Sequence, residues 1–251
     1  MIRIKSLVSL SVLTIALATG AAQAQETLKI GTEGAYPPFN YVESNGQLGG
    51  FDVDIAKALC EEMNVTCEFV QQDWDGIIPA LQAKRFDAVV ASMSITDERK
   101  QQVDFTNPYY TNSLVFVAPK DGEFDPANPG DASIGVQGGT IAETYAQDTY
   151  KEATVSPYPT QVEAWTDLQN GRLDAVLGDF GVQQGFVDGD GKDCCEFKGE
   201  SVAGGDKIGI AVRKGETELA EKLNSAIKAI RENGKYKEIN DKYFKIDVYG
   251  E

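Results

Sequence analysis

Ser92, Ser94 and Arg99 fall within eight consecutive positions of Ala91-Ser92-Met93-Ser94-Ile95-Thr96-Asp97-Glu98-Arg99. Arginine presents a planar fork of N–H donors that matches a carboxylate, and two nearby hydroxyls would add short polar contacts. The stretch follows an apolar run, Phe86-Asp87-Ala88-Val89-Val90, that reads as a buried strand. In open α/β sheets, ligands bind beyond the carboxyl ends of the strands. A pocket for a small carboxylate-bearing molecule, anchored by Arg99, is therefore expected here. The competing reading is a helix N-cap at Thr96 with Arg99 in the first turn, making an ordinary surface ion pair.

Other candidates stand at comparable places. Asp179 follows the apolar run Leu173–Leu177, where strand-end acids face a cleft; it could instead cap a helix starting at Phe180. Tyr36 lies in a turn with Gly34 and Pro37-Pro38, and loops carry function more often than cores do. Tyr36 and Trp74 could also be plain core aromatics. Glu33 is either one of many solvated acids or, beside aromatic rings, an acceptor for a cation. Asp52 and Asp54 read as acids that start a helix, favoured by its dipole.

The elements that must position these residues alternate in type. Thr27–Gly31 alternates like a strand, and Phe51, Ile55, Leu59 and Met63 then recur on one helical face. A strand at 66–71, a short helix from Asp75 or Gly76, and a strand at 86–91 complete a βαβαβ run, which predicts a parallel sheet with right-handed crossovers. The order recurs: strand 133–136, helix from Thr140, weak strand 154–155, helix capped by Thr160 with Val162, Trp165 and Leu168, strand 173–177. Leu81-Gln82-Ala83-Lys84-Arg85-Phe86-Asp87-Ala88-Val89-Val90 and Leu168-Gln169-Asn170-Gly171-Arg172-Leu173-Asp174-Ala175-Val176-Leu177 share the same helix–basic–strand wording. Two similar lobes are expected. Strands at 113–118 and 208–212 lie where the chain crosses between them, near 111–114 and 204–208, making a hinge. Helices follow, with Leu219, Leu223, Ile227 and Ile230 on one stripe and another stripe over 236–244.

Composition narrows the chemistry. The 251 residues hold 23 Lys+Arg against 39 Asp+Glu, a net charge of −16, and no histidine. Such a chain repels nucleic acid and anionic membranes, and histidine-based triads, metal sites and pH switches are excluded. Residues 1–24 read as a secretory signal peptide: Arg3 and Lys5, an apolar stretch, then Ala22-Gln23-Ala24 before the cleavage point. Four cysteines in an exported chain point to disulfides. A Cys60–Cys67 bridge is geometrically easy, and the adjacent Cys194 and Cys195 could bridge, stay free or pair between molecules; three connectivities are open. The spacings do not suit a metal site.

Taken together, Gly31-Thr32-Glu33-Gly34-Ala35-Tyr36-Pro37-Pro38-Phe39, Gly50-Phe51-Asp52-Val53-Asp54, Trp74-Asp75-Gly76-Ile77-Ile78-Pro79, the Ser92–Arg99 stretch and the ending Gly234-Lys235-Tyr236 to Tyr243-Phe244 resemble the polar amino-acid-binding proteins of bacterial ABC importers (solute-binding protein family 3), nearest the lysine/arginine/ornithine and histidine binders. The resemblance covers essentially the whole chain after the leader. It implies an α/β two-lobe periplasmic binding protein fold of type II, each lobe a mainly parallel sheet flanked by helices, with a two-strand hinge. The segments would be 25–112 and 206–251 for lobe one and 113–205 for lobe two. It further implies that Arg99 grips an α-carboxylate with Ser92 and Ser94 as hydrogen-bonding neighbours and Thr140 at a helix N-terminus. Asp179 takes the α-ammonium, Tyr36 and Trp74 sandwich the side chain at about 0.5–2 kcal/mol per cation–π contact, and Glu33 meets a distal positive charge. Met93 and Gly139 belong to the same set. Cys60 and Cys67 match the family's disulfide. Ala91 and Ile141 depart from relatives that carry serine and threonine there, and Trp74 replaces a phenylalanine.

The expected function is a monomeric periplasmic binder of a basic L-amino acid, without cofactor, metal or nucleic-acid partner, that delivers its ligand to an inner-membrane permease. An opine or a neutral polar amino acid such as glutamine is the alternative ligand. A dehydratase-like enzyme, a sensor module and a thiol–disulfide exchanger are the alternative classes; no acid–base pair, no transmembrane helix and no C-x-x-C stand in their favour.

Overall fold

In the computed structural model, which describes residues 26–250, the alternation of apolar runs and amphipathic stretches builds two α/β lobes. The leader expected over 1–24 lies outside the described residues. β1 (Thr27–Thr32) leads into a small antiparallel sheet of β2 (Ala35–Tyr36), β3 (Asn40–Val42) and β4 (Leu48–Gly49). Then come α1 (Phe51–Glu62), β5 (Thr66–Gln71), a 3-10 turn (Trp74–Gly76) running into α2 (Ile77–Gln82), and β6 (Ala88–Val89). α3 (Asp97–Gln102) and β7 (Val103–Phe105) follow. The strand expected over 86–91 is regular only over Ala88–Val89, although Asp87 and Val90 still donate to the Lys29 and Gly31 carbonyls of β1, and the Phe86 carbonyl accepts from the Arg213 guanidinium.

β8 (Tyr110–Pro119) enters the second lobe, which continues through β9 (Ser133–Gln137), α4 (Ile141–Thr149), β10 (Thr154–Tyr158), α5 (Gln161–Gln169), β11 (Ala175–Asp179), α6 (Phe180–Asp188) and β12 (Cys195–Ile208). β13 (Ala211–Arg213), α7 (Thr217–Glu232) and α8 (Lys235–Tyr243) return to the first lobe. Both sheets are mixed and have matching orders. The first runs β5-β1-β6-β13-β7 and the second β10-β9-β11-β8-β12. In each, three strands pair in parallel, as βαβαβ requires, and the other two pairings are antiparallel because one strand, β13 in the first sheet and β8 in the second, runs against the other four. The antiparallel members come from the segments at the two crossings.

Those crossings pair with each other: β8 and β12 run antiparallel, with Tyr110 opposite Ile208 and Asn112 opposite Asp206. The single strand expected over 208–212 is split, since Ile208 ends β12 and Ala211 begins β13. Gly209 at the break donates its N–H to the Met93 carbonyl at 3.1 Å. A Cβ on Gly209 would lie 2.8 Å from Ile95 Cδ1. The returning chain is thus pressed against the Met93–Ile95 segment, and a Cβ at Gly209 would have to push the Ile95 side chain aside.

Helix starts follow local rules. Thr96, Thr140 and Thr160 each accept the backbone N–H three residues on, from Arg99, Glu143 and Glu163, a cap worth about 1 kcal/mol. α7 buries Leu223, Ile227 and Ile230, as its stripe predicts. On α5 the burial falls on Ala164, Trp165 and Leu168 while Val162 stays exposed, a narrower apolar face than the periodicity implied. Cys60 and Cys67 are bonded, tying the end of α1 to β5, and Cys194 and Cys195 are bonded to each other.

Asp52 does more than start α1. Its side chain is fully buried and accepts from Asn40 Nδ2 at 2.9 Å, Ser92 Oγ at 3.0 Å and Tyr109 Oη at 2.6 Å. It therefore joins β3, α1, the loop after β6 and the approach to β8. Burial pushes its proton affinity up, and the three donors pull it back. Asp52→Ala leaves three buried donors without an acceptor, so it is expected to cost about 3 kcal/mol and to lower the thermal midpoint by roughly 6–12 °C. Thermal unfolding followed by circular dichroism measures this; a midpoint within about 2 °C of wild type would show that the hub carries no stability.

Candidate functional site

The carboxyl ends of the parallel strands in both lobes face one another, and the residues projecting from them line a small shared cavity. Lobe one supplies Glu33 after β1, Tyr36 on β2, Trp74 on the 3-10 turn, and Ala91, Ser92, Ser94 and Arg99 beyond β6. Lobe two supplies Gln137 at the end of β9, Thr140 and Ile141 at the start of α4, and Asp179 at the end of β11. Eight of the ten expected ligand residues line this cavity. A wider groove outside lobe one, between α7 and the start of β1, is open surface and gathers none of them.

Arg99 sits on the capped first turn of α3. Its Nη1 donates to the Ser94 carbonyl and its Nη2 to the Gly139 carbonyl of the other lobe, both at 2.9 Å. The guanidinium carbon is 5.1 Å from the centre of the Trp74 ring, within cation–π range. Burial pushes its pKa down and the carboxylates of Asp206 and Asp179 push it up; arginine stays charged in either case. Three of its five N–H groups remain for a ligand carboxylate.

Gly139 contributes through its backbone. Its carbonyl also accepts from Trp74 Nε1 at 3.3 Å, and its φ of +66° is the left-handed conformation that favours glycine. Its N–H goes to Glu143 Oε2 at 2.7 Å, while Thr140 Oγ1 donates to the Gln137 carbonyl at 2.7 Å. Met93 is not brought to the cavity. Its side chain is fully buried in the lobe-one core with Ile77, Leu81, Phe86 and Val103, because the residue between two outward serines points the other way.

The two serines face the cleft with their protons already committed. Ser92, at a φ of +52° that non-glycine residues seldom adopt, donates to Asp52. Ser94 Oγ donates to Asp206 Oδ2 at 2.8 Å. A hydroxyl has one proton and two lone pairs, so in this arrangement each serine offers a ligand an acceptor. That suits an ammonium rather than the carboxylate expected for them. Asp206, on β12, was not legible as part of the site, since its contact with Ser94 spans 112 residues of sequence.

Two carboxyls sit opposite Arg99 in sign. Asp179 is buried, which pushes its pKa up to about 7; Asp206 pushes the same way, and Tyr36, Asn112 and Arg99 oppose it. Glu33 is also buried and pushed up to about 7. Gln137 pulls it down, and Asp73 and Asp75 push it further up. Its Oε1 accepts from Gln137 Nε2 across the cleft at 2.6 Å. Gln137 was missed in the sequence, although a polar residue ending an apolar strand is the same signal that marked Asp179. Among the described residues the cavity thus carries one fixed cation, Arg99, which is coupled to Asp179, and two proton-hungry carboxylates, with aromatic walls at Tyr36 and Trp74.

Residues 28–246 match the profile described as bacterial extracellular solute-binding proteins, family 3. The chain is 48% identical over 236 residues to the L-arginine-binding protein of Pseudomonas aeruginosa, covering 90% of this chain and 91% of that one. It is 39% identical over 228 residues to the ABC transporter arginine-binding protein 1 of Escherichia coli, covering 90% and 94%. Among solved structures, an ancestral arginine-binding protein bound to arginine superposes with a TM-score of 0.83 at 39% identity, over 88% of this chain and 99% of that one.

Proposed function

The chain belongs to family 3 of the bacterial extracellular solute-binding proteins, and on that premise we propose that its cleft holds one free basic L-amino acid, arginine foremost, and passes it to an inner-membrane ABC permease. The observation that carries this reading is the charge pattern of the cavity. Arg99 faces an α-carboxylate, Asp179 with the lone pairs of Ser92 and Ser94 faces an α-ammonium, and Glu33 remains at the far end for a third, positive group. A neutral amino acid would leave Glu33 buried without a counter-charge, and burial already favours its proton. Asp73 and Asp75 add negative potential at that end. Tyr36 and Trp74 would flank the aliphatic and cationic side chain. The similarity to arginine-binding relatives supports the same ligand.

The family is one of binding proteins, and this site is built for retention. Its polar groups are divided between lobes, so Arg99 and Asp179 act on the same ligand only in the closed form, and a ligand therefore draws the lobes together. The protein is exported to the periplasm with removal of residues 1–24, and the lobes meet near 112/113 and 205/206. Calorimetric titration of the exported chain, refolded free of carried-over ligand, tests the proposal against arginine, lysine, ornithine, histidine, glutamine and octopine. One-to-one binding is expected, tightest for arginine. Binding of glutamine or octopine with no heat from any basic amino acid would overturn it.

A further inference from the structure

The amide of Gln137 is pinned at the side-chain end of the cavity, and its pinning leaves one group over. Nε2 donates to Glu33 Oε1 at 2.6 Å and to the Pro159 carbonyl at 3.3 Å. A primary amide has two N–H donors and one carbonyl acceptor, so both donors are spent. Turning the amide over would set its oxygen against the Pro159 carbonyl, which has no proton to donate, so the orientation follows from its partners. Gln137 is only 2% exposed and lines the cavity, and among the described residues no donor is paired with its Oε1. We infer that Gln137 is a specificity-determining residue: its Oε1 is a fixed neutral acceptor that, beside Glu33, reads the distal end of the bound side chain and selects a guanidinium over an ammonium.

This rests on the basic-amino-acid reading and sharpens it. One Glu33 oxygen is taken by Gln137, which leaves the second Glu33 oxygen and the Gln137 Oε1 as two separate acceptors. A guanidinium spreads five N–H groups over three coplanar nitrogens, whereas an ammonium holds three on one strongly hydrated nitrogen. Two separated acceptors fit two nitrogens of the fork. A single ammonium nitrogen meets one of them well and leaves the other buried and unpaired, which is how a polar pocket rejects an analogue. Because Glu33 and Gln137 belong to different lobes, Glu33 meets either cation in the open form and the selection is made on closure.

The test is calorimetric titration of wild type, Gln137→Met and Gln137→Asn with L-arginine and with L-lysine at about pH 8.5, well above the ordinary carboxylate range. Gln137→Met is expected to weaken arginine about tenfold or more and lysine less than about threefold. Gln137→Asn, which draws the amide back by one methylene, moves the arginine-to-lysine ratio the same way. It carries the decision if Gln137→Met does not melt cooperatively. A residue that merely supports Glu33 or lobe closure would weaken both ligands alike. An arginine-to-lysine ratio unchanged within about twofold in the folded variants overturns the inference. A wild-type protein that binds neither ligand overturns the reading beneath it, and that outcome is distinct from a ratio that stays put.

Discussion

Arg99→Ala is expected to weaken arginine binding about a hundredfold to a few thousandfold while the lobes stay folded. Among the described residues the guanidinium is the one cation lining the cavity, and the cavity's other charges are carboxylates that repel the ligand's own. Removing one partner of a desolvated ion pair costs about 3–5 kcal/mol, because the remaining charge stays buried and unpaired, and each 1.4 kcal/mol is about tenfold in affinity. The loss extends to closure, since Arg99 also bridges the lobes through the Gly139 carbonyl and packs over Trp74. Folding should survive, because the cap that starts α3 uses the Arg99 backbone N–H and not its side chain. Arg99→Lys should fall between the two, keeping the charge without the fork. Calorimetry with a parallel thermal melt makes the measurement; a dissociation constant within about threefold of wild type would remove Arg99 from the site.

The second large effect is on pH. Glu33 and Asp179 both take up a proton near 7 in the ligand-free cleft, so each is about half protonated at neutral pH. A cation placed against them favours their ionised forms, and binding at pH 7 should release protons. The binding enthalpy should then vary with the ionisation enthalpy of the buffer at pH 7 and lose that dependence near pH 9. Affinity for arginine should fall as pH drops below 7, by up to about tenfold per pH unit for each group. From pH 7.5 to 5.5 the combined loss is about two orders of magnitude or more. Glu33→Gln removes one of the two titrations, so its pH slope should be shallower, and its affinity for arginine at pH 8 should be at least about tenfold below wild type. An affinity flat from pH 5.5 to 8, with no buffer dependence, would contradict these roles for Glu33 and Asp179.

The same groups make the stability of the ligand-free protein depend on pH in the opposite sense. In the unfolded chain their ordinary values are 4.5 for Glu33 and 3.8 for Asp179, and folding raises both to about 7. Between those limits the folded state holds more protons than the unfolded state, so their contribution to stability is fully present at acid pH and is lost as pH rises towards 7. Bound arginine supplies the missing counter-charges. The rise in thermal midpoint on adding arginine should therefore be larger at pH 8 than at pH 5.

What the sequence determined by itself is local or repeated. Thr96, Thr140 and Thr160 cap helices through bonds to residues three positions on, so their effect is contained in a few neighbouring residues. The βαβαβ order and its repetition carry the two-lobe architecture, because burial period and connection handedness leave few other ways to fold such a pattern. Strand ends then place Arg99 and Asp179 at a cleft. Tertiary structure alone decided which way each polar group points. Ser92 turns its proton to Asp52, 40 residues away, and Ser94 turns its own to Asp206, which changes both from donors to acceptors as a ligand meets them. Met93 belongs to the motif in sequence and to the core in space. Gln137 meets Glu33 across 104 residues and from the opposite lobe, a contact that exists only when the lobes face each other. Hydrogen-bond direction and the proton affinity of a buried carboxylate are set by whatever stands within a few ångströms, and in a two-lobe protein those neighbours come from distant parts of the chain.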